Sequence, residues 1–160
     1  KMEGALISGI AFTKDEAEVM IKGVKDEPGV AAKILGPIGE ANIEIDMIVQ
    51  NVGSNGLADF TFTVSRNTLK KALQVIDKKK KIMMYQSVSS KSNIVKVSLV
   101  GVGMRSHAGI ASKMFKCLAK NKVNIRMIST SEIKISVVID QKNLEIAVQA
   151  LHNEFKLENK

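Results

Sequence analysis

Tryptophan is absent and aromatic residues make up only 4% of the 160-residue chain, so its core has to be built from Ile, Val, Leu, Met and Ala. Cysteine occurs once, as Cys117, which excludes an intrachain disulfide framework and fits a reducing, cytoplasmic setting. That residue reads as a small buried hydrophobe on a helix rather than a reactive thiol. No apolar run approaches the roughly 20 residues of a membrane helix. Lys1 to Thr13 also lacks the apolar stretch and cleavage site of a secretory signal. Catalytic constellations are equally scarce. His107 and His152 have no cysteine or second histidine at metal-ligand spacing, so no metal site is expected. Gly101-Val102-Gly103 is not followed by the Gly-Lys-Ser/Thr of a phosphate loop. Ser129, Thr130 and Ser131 have no adjacent base, which argues against nucleophilic catalysis.

What is present is a soluble globular balance, with 45% hydrophobic and 25% charged residues. The net charge of +8 raises the question of an anionic partner, but the lysines are scattered except for Lys78-Lys79-Lys80-Lys81. That run follows Leu69, Leu73 and Ile76 of an expected helix, where cations complement the C-terminal end. Neither a nucleic-acid nor a membrane partner is expected.

An internal repeat organises the chain. Gly29-Val30-Ala31-Ala32-Lys33-Ile34-Leu35 lines up with Gly109-Ile110-Ala111-Ser112-Lys113-Met114-Phe115, and Ile45-Asp46-Met47-Ile48 with Ile125-Arg126-Met127-Ile128 at the same spacing. Ahead of these, Val19 to Val24 resembles Val97 to Val102. The pattern of the first copy predicts a strand over Glu18 to Val24 and a helix over Gly29 to Ala41, which Gly36-Pro37 should kink or shorten. A strand follows over Asn42 to Asn51, then a turn at Gly53-Ser54-Asn55-Gly56 and a strand over Leu57 to Val64. Asn67 is expected to cap a helix to about Lys79, and Lys81 to Val88 supplies a fourth strand. This βαββαβ order is the ferredoxin-like split motif.

The second copy begins at Ile94, with helices at about 108–121 and 142–155 and strands at 124–130 and 132–139. It runs out of chain before a fourth strand. Ala5 to Phe12 is a strand without a partner in the first copy, so it should complete the second sheet rather than leave an edge exposed. The expected fold class is therefore α+β, with two ferredoxin-like domains, the first (16–90) inserted into the second (1–15 plus 91–160).

Two loops suit a small ligand. Asp26-Glu27-Pro28-Gly29 precedes the first helix and Arg105-Ser106-His107-Ala108-Gly109 its counterpart. Unpaired N–H groups at a helix N-terminus suit a carboxylate, and Asp26 could receive an ammonium group. The plainer alternative is that Asp26 or Glu27 caps the helix with Pro28 in its first turn. On the sheet, Glu44, Asp46, Gln50, Thr61 and Thr63 should alternate outward, with Phe60, Phe62 and Val64 facing the helices. An RNA-binding sheet would need Phe60 and Phe62 on the open face, and the alternation places them in the core.

The segment Val19 to Ala32, with Asp26, Pro28 and Gly29, resembles an ACT domain, the small-molecule sensor of amino-acid metabolism. Ile45-Asp46-Met47-Ile48-Val49-Gln50-Asn51-Val52, Lys96 to Met104, Ser106-His107-Ala108-Gly109, Asn124-Ile125 and, most specifically, Ile128 to Ser136 resemble the tandem ACT regulatory region of aspartate kinases. The resemblance covers residues 5–156 and implies a nested pair of ACT domains with no catalytic residues. The parent enzyme would phosphorylate aspartate with ATP and Mg bound in a kinase domain that this chain lacks, and the chain itself would hold no cofactor. It also implies a homodimer through ACT domains, a catalytic domain or subunit as partner, and an amino-acid effector. Carried over by position, a threonine-type site would use Asp26, Pro28, Gly29, Val30, Ala31 and Gln50, with Asn124 and Ile125. A lysine-type site would draw on Asp46, Ser106, His107, Ile110, Ser131 and Glu132. Gly53 and Ala111 stand where lysine-responsive relatives often carry hydroxyl residues, Glu44 replaces a common Asn, and Arg126 adds a charge unfavourable to a cation. Threonine is the first expectation, and concerted lysine plus threonine the second.

Overall fold

A computed structural model describes residues 6–102 and 108–156. The chain divides into two compact units, one from Asp15 to Ser92 and the other from the chain up to Lys14 together with the chain from Asn93 onward. The fold is α+β, and the first unit is an insertion within the second.

In the inserted unit the elements are the C-terminal part of β1 (Leu6–Lys25), α1 (Val30–Glu40), β2 (Ile48–Val52), β3 (Leu57–Val64), α2 (Leu69–Lys78), a short α3 (Lys80–Met83) and the start of β4 (Ser87–Val102). The strand order is β2-β3-β1-β4, with β3 antiparallel to both β2 and β1. Alternate residues Ala17, Val19 and Ile21 of β1 and Ala58, Phe60, Phe62 and Val64 of β3 point to one face. Val30, Ile34 and Ile38 of α1 and Ala72 and Ile76 of α2 close the core over them. Each fully buried side chain of the Ile or Phe class stabilises by about 1.5–3 kcal/mol, which is why the periodicity dictates the fold here. The phenylalanines lie inside this core and are not available to stack on bases.

The host unit comprises the N-terminal part of β1, the rest of β4, α4 (Ala108–Lys120), β5 (Met127–Thr130), β6 (Lys134–Asp140) and α5 (Leu144–Phe155). Its order is β1-β4-β6-β5. Val95, Val97 and Leu99 of β4 and Ile135, Val137 and Ile139 of β6 pack under Ile110, Met114 and Leu118 of α4 and Ala147 and Leu151 of α5, and Ile7 and Ile10 of β1 join them. This N-terminal part of β1 lies beside β4 in the sheet, and Ser8 Oγ adds a bond to the Val100 carbonyl at 3.1 Å. No helix among the described residues is long and apolar enough to cross a membrane.

Several local expectations are corrected. The expected strands at 5–12 and 18–24 belong, from Leu6 onward, to the single strand β1, with Ala5 outside the described residues, and the pairing from Ser87 onward is likewise one strand, β4. Lys81 to Met84 is not extended: the lysine run ends α2 and enters α3, because burial of Met83 holds that turn under the core. α1 continues through Pro37. A mid-helix proline costs about 3 kcal/mol, and the buried Ile34 and Ile38 that flank it in the core offset that cost. Asn67 does not cap α2. It lies in a 3-10 turn, Arg66–Thr68, whose first amide is instead taken by Asp15 Oδ1 of β1 at 2.9 Å.

The strand expected over Asn42 to Asn51 is regular only from Ile48. Asp46 N–H donates to the Thr63 carbonyl and Thr63 N–H to the Met47 carbonyl, both at 3.0 Å, so two residues face one and the alternation slips. Beyond the slip, Ile48 and Gln50 pair with Phe62 and Phe60 and share their side of the sheet, contrary to the outward reading of Gln50. Thr63 is not part of a solvated row. It is fully buried, and its Oγ1 accepts from Met47 N–H at 3.0 Å.

The two helix ends show the repeat at atomic detail. Asn42 N–H bonds to the Gly39 carbonyl and Ile43 N–H to that of Ile38, while Lys122 N–H bonds to Ala119 and Val123 N–H to Leu118. This is the Schellman arrangement, with Asn42 and Lys122 in the left-handed position at φ +64° and +60°.

Thr63→Val removes the acceptor for a buried amide while keeping shape. Urea denaturation should show a loss of about 1–3 kcal/mol, with an unchanged m-value. Cys117 is buried, its Sγ donates to the Ala150 carbonyl at 3.5 Å, and burial, then Glu154, push its thiol pKa up while Lys120 opposes them. The folded state therefore keeps the proton when the unfolded state loses it, so stability should decline as pH rises above the ordinary thiol range of about 8.5. Native-state labelling with a thiol reagent at pH 8 should be slow, and become fast in denaturant.

Candidate functional site

The chain leaves β1 at Lys25 and enters α1 through Asp26-Glu27-Pro28-Gly29. Asp26 N–H donates to the Gly56 carbonyl at 3.0 Å, which ties the loop to the β2–β3 hairpin. Val30 N–H turns back to the Glu27 carbonyl at 3.1 Å, and Lys33 N–H bonds to Gly29 at 3.0 Å. Gly29 is the residue before the helix and sits at φ +91°, a conformation that glycine adopts without steric cost. Pro28 precedes it in the turn and is not in the first helical turn.

No side chain caps α1. Glu27 is held between two lysines, 3.6 Å from Lys25 and 3.7 Å from Lys33, so its charge is shared between them and its carboxylate does not cap the helix amides. Among the described residues the amides of Ala31 and Ala32 have no acceptor, and the Asp26 carboxylate has no hydrogen bond or ion pair. Asp26, Pro28, Gly29 and Ala31 are all exposed, while Val30 turns into the core. Uncapped amides carry the positive end of the helix dipole, so the loop presents anion-binding donors beside a free carboxylate. Gln50 is exposed on β2, opposite Phe60.

Other expected positions are dispersed. Asn124 is exposed and Ile125 half-buried just before β5 in the host unit, packed against that unit's core. Ile110 turns its side chain into the same core. Ser131 N–H donates to Lys134 at 2.8 Å within the β5–β6 hairpin, where Glu132 is exposed. Asp46 is exposed beside the slip in β2 pairing. Ser106 and His107 lie outside the described residues. Arg126 Nη1 lies 3.9 Å from Asp140 Oδ1, so its charge is offset within its own unit. Among the described residues no three His, Cys, Asp or Glu side chains form a metal-binding group.

One feature escaped the sequence reading. Lys22, Asn51, Asp59 and Gln86 line a hollow of about 320 Å³ in the inserted unit. An isolated glycine inside a strand pattern, Gly23, is the only sequence signal that could have located it.

Models of the ACT domain match residues 18–80 and 97–155. The chain is 60% identical over 157 residues to an aspartate kinase of Stutzerimonas stutzeri, covering 98% of this chain and 38% of that protein. It thus spans well under half the length of the curated relatives it matches. Among solved structures, the alpha and beta subunits of an aspartokinase share 47% identity, cover 95% of this chain and 100% of the matched chain, and give a TM-score of 0.90. The ligand-free regulatory subunit of aspartate kinase from Thermus thermophilus gives 35% identity, 93% and 98% coverage, and a TM-score of 0.88. Matched nearly end to end by chains of this kind, and built as two nested ACT domains, the protein belongs to the family of aspartate kinase regulatory regions.

Proposed function

We propose that the chain senses a free amino acid and transmits its presence to the catalytic part of an aspartate kinase, as end-product feedback with threonine as the effector. The observation that carries this is the α1 entry loop. Free amides at Ala31 and Ala32 stand next to the unpartnered Asp26 carboxylate, so one end of an α-amino acid meets donors and the other meets a charge. In this reading the amides hold the carboxylate, Asp26 the ammonium, and Gln50 the hydroxyl. Asn124 and Ile125, on the host unit, belong to the same proposal. A site that hydrogen-bonds a hydroxyl rejects analogues lacking it.

The parent enzyme would transfer phosphate from ATP, with Mg, to the side-chain carboxylate of aspartate in a domain other than this one. The effector acts by preferring one arrangement of paired ACT domains, and it can shift the balance only by its differential affinity for the two states. The resemblance to family members supports a homodimer and a cytoplasmic setting.

Concerted lysine and threonine sensing is the second reading, and one observation favours it. Arg126, whose charge would repel a cationic effector, is accompanied by Asp140 at 3.9 Å. Its lysine-type contacts would come from Asp46, Ser106, His107, Ile110, Ser131 and Glu132.

Calorimetry with threonine, lysine, methionine and isoleucine, alone and paired, tests the assignment: threonine should bind, and a chain that binds none of the four is not this sensor. Asp26→Ala should weaken threonine about tenfold, the loss expected for one charged hydrogen bond, and unchanged affinity removes Asp26 from the site. Sedimentation velocity should show a dimer that threonine stabilises; a monomer at all concentrations, with and without ligand, contradicts the paired arrangement.

A further inference from the structure

β1 and β3 pair in register from Ala17 with Val64 to Ile21 with Phe60, and resume at Val24 with Ala58. Between these points Lys22 and Gly23 together oppose Asp59. This is a β-bulge, and Gly23 supplies the positive φ, +77°, that such a bulge requires. Gly23 N–H leaves the ladder and donates to Asp59 Oδ1 at 2.9 Å. Across β3, Asn51 of β2 stands directly opposite Asp59. On the other side Gln86 N–H donates to the Lys22 carbonyl at 2.8 Å. Its side chain covers Gly23 so closely that a methyl group there would come within 2.5 Å of it.

The bulge therefore gathers a cation, a carboxylate and two side-chain amides around the hollow of about 320 Å³, which Leu57 also lines. None of the four satisfies another. Among the described residues the Lys22 ammonium, the second oxygen of Asp59 and the side-chain amides of Asn51 and Gln86 have no hydrogen bond or ion pair. The volume is at the small end of ligand sites, about 300–1,000 Å³. A simple anion would leave Asp59 unmatched and a simple cation would leave Lys22 unmatched. A molecule that carries an ammonium and a carboxylate on the same carbon offers a partner to both.

We infer that this hollow is a second ligand site, for a small zwitterion of the α-amino acid class. It is separate from the α1 entry loop, none of whose residues lines it. The two are joined by the hairpin: Asn55 and Leu57 line the hollow, while Gly56, between them, accepts from Asp26 N–H. Ligand in the hollow holds the same hairpin that anchors the loop.

The test is an amide-resolved NMR titration of the whole chain with L-alanine, and with acetate and methylammonium as half-ligands. L-Alanine should give saturable shifts at the amides of Gly23, Asn51 and Asp59, with either half-ligand at least about tenfold weaker. Lys22→Ala, an exposed position, should weaken L-alanine about tenfold, and so should Asp59→Asn. Asp26→Ala should leave this affinity unchanged. Absence of saturable shifts at those three amides, equal binding of acetate alone, or shifts that survive Lys22→Ala at full strength would each overturn the site. None of these outcomes bears on threonine binding at the α1 loop, which Asp26→Ala reports by itself.

Discussion

Both units depend on β1 and β4 lying side by side. A chain that leaves one unit to build another, and then returns, needs its exit and re-entry strands adjacent, because sheet connections do not cross or thread. In the host unit that neighbourhood is marked by Ser8 against Val100, and in the inserted unit by Lys22 against Gln86. β1 accordingly serves two cores, giving Ile7 and Ile10 to one and Ala17, Val19 and Ile21 to the other. The N-terminal part of β1 is structural in its own right, since it lies beside β4 and gives Ile7 and Ile10 to the host core.

The sequence carried the architecture because its signals were periodic and duplicated. Alternation along Leu57 to Val64 and the spacing of Val30, Ile34 and Ile38 map directly onto the core. What it concealed were bonds between a side chain and distant backbone. Asp15 reaches the amide of Arg66 from another strand, so the cap could not be found among the residues next to α2. Thr63 takes the amide of Met47, and the resulting slip reverses the facing of Gln50. The lysine run looked like a solvated helix end followed by a strand; a single buried methionine, Met83, folds it into another turn.

The candidate site was legible to a similar depth. The loop at Asp26 to Gly29 could be picked out from residue types, but the reason it is open to a ligand lies in what its neighbours do. Glu27, the obvious capping residue, is drawn away by Lys25 and Lys33. Exposed pairs of that kind contribute only about 0–1 kcal/mol, so their importance is in keeping a competing carboxylate off the helix amides. The charge at Arg126 was visible in the sequence, and its offset by Asp140 was not.

The matched helix ends carry a different lesson. One backbone turn occurs twice in the molecule, with the same pair of hydrogen bonds, and is occupied by Asn42 in one copy and Lys122 in the other. Asparagine tolerates left-handed geometry better than a long side chain does. The duplication therefore contains its own internal control. Exchanging the two residues compares, within one chain, what the same turn costs with each side chain, and so separates what descent from a common unit preserved from what chemistry alone demands.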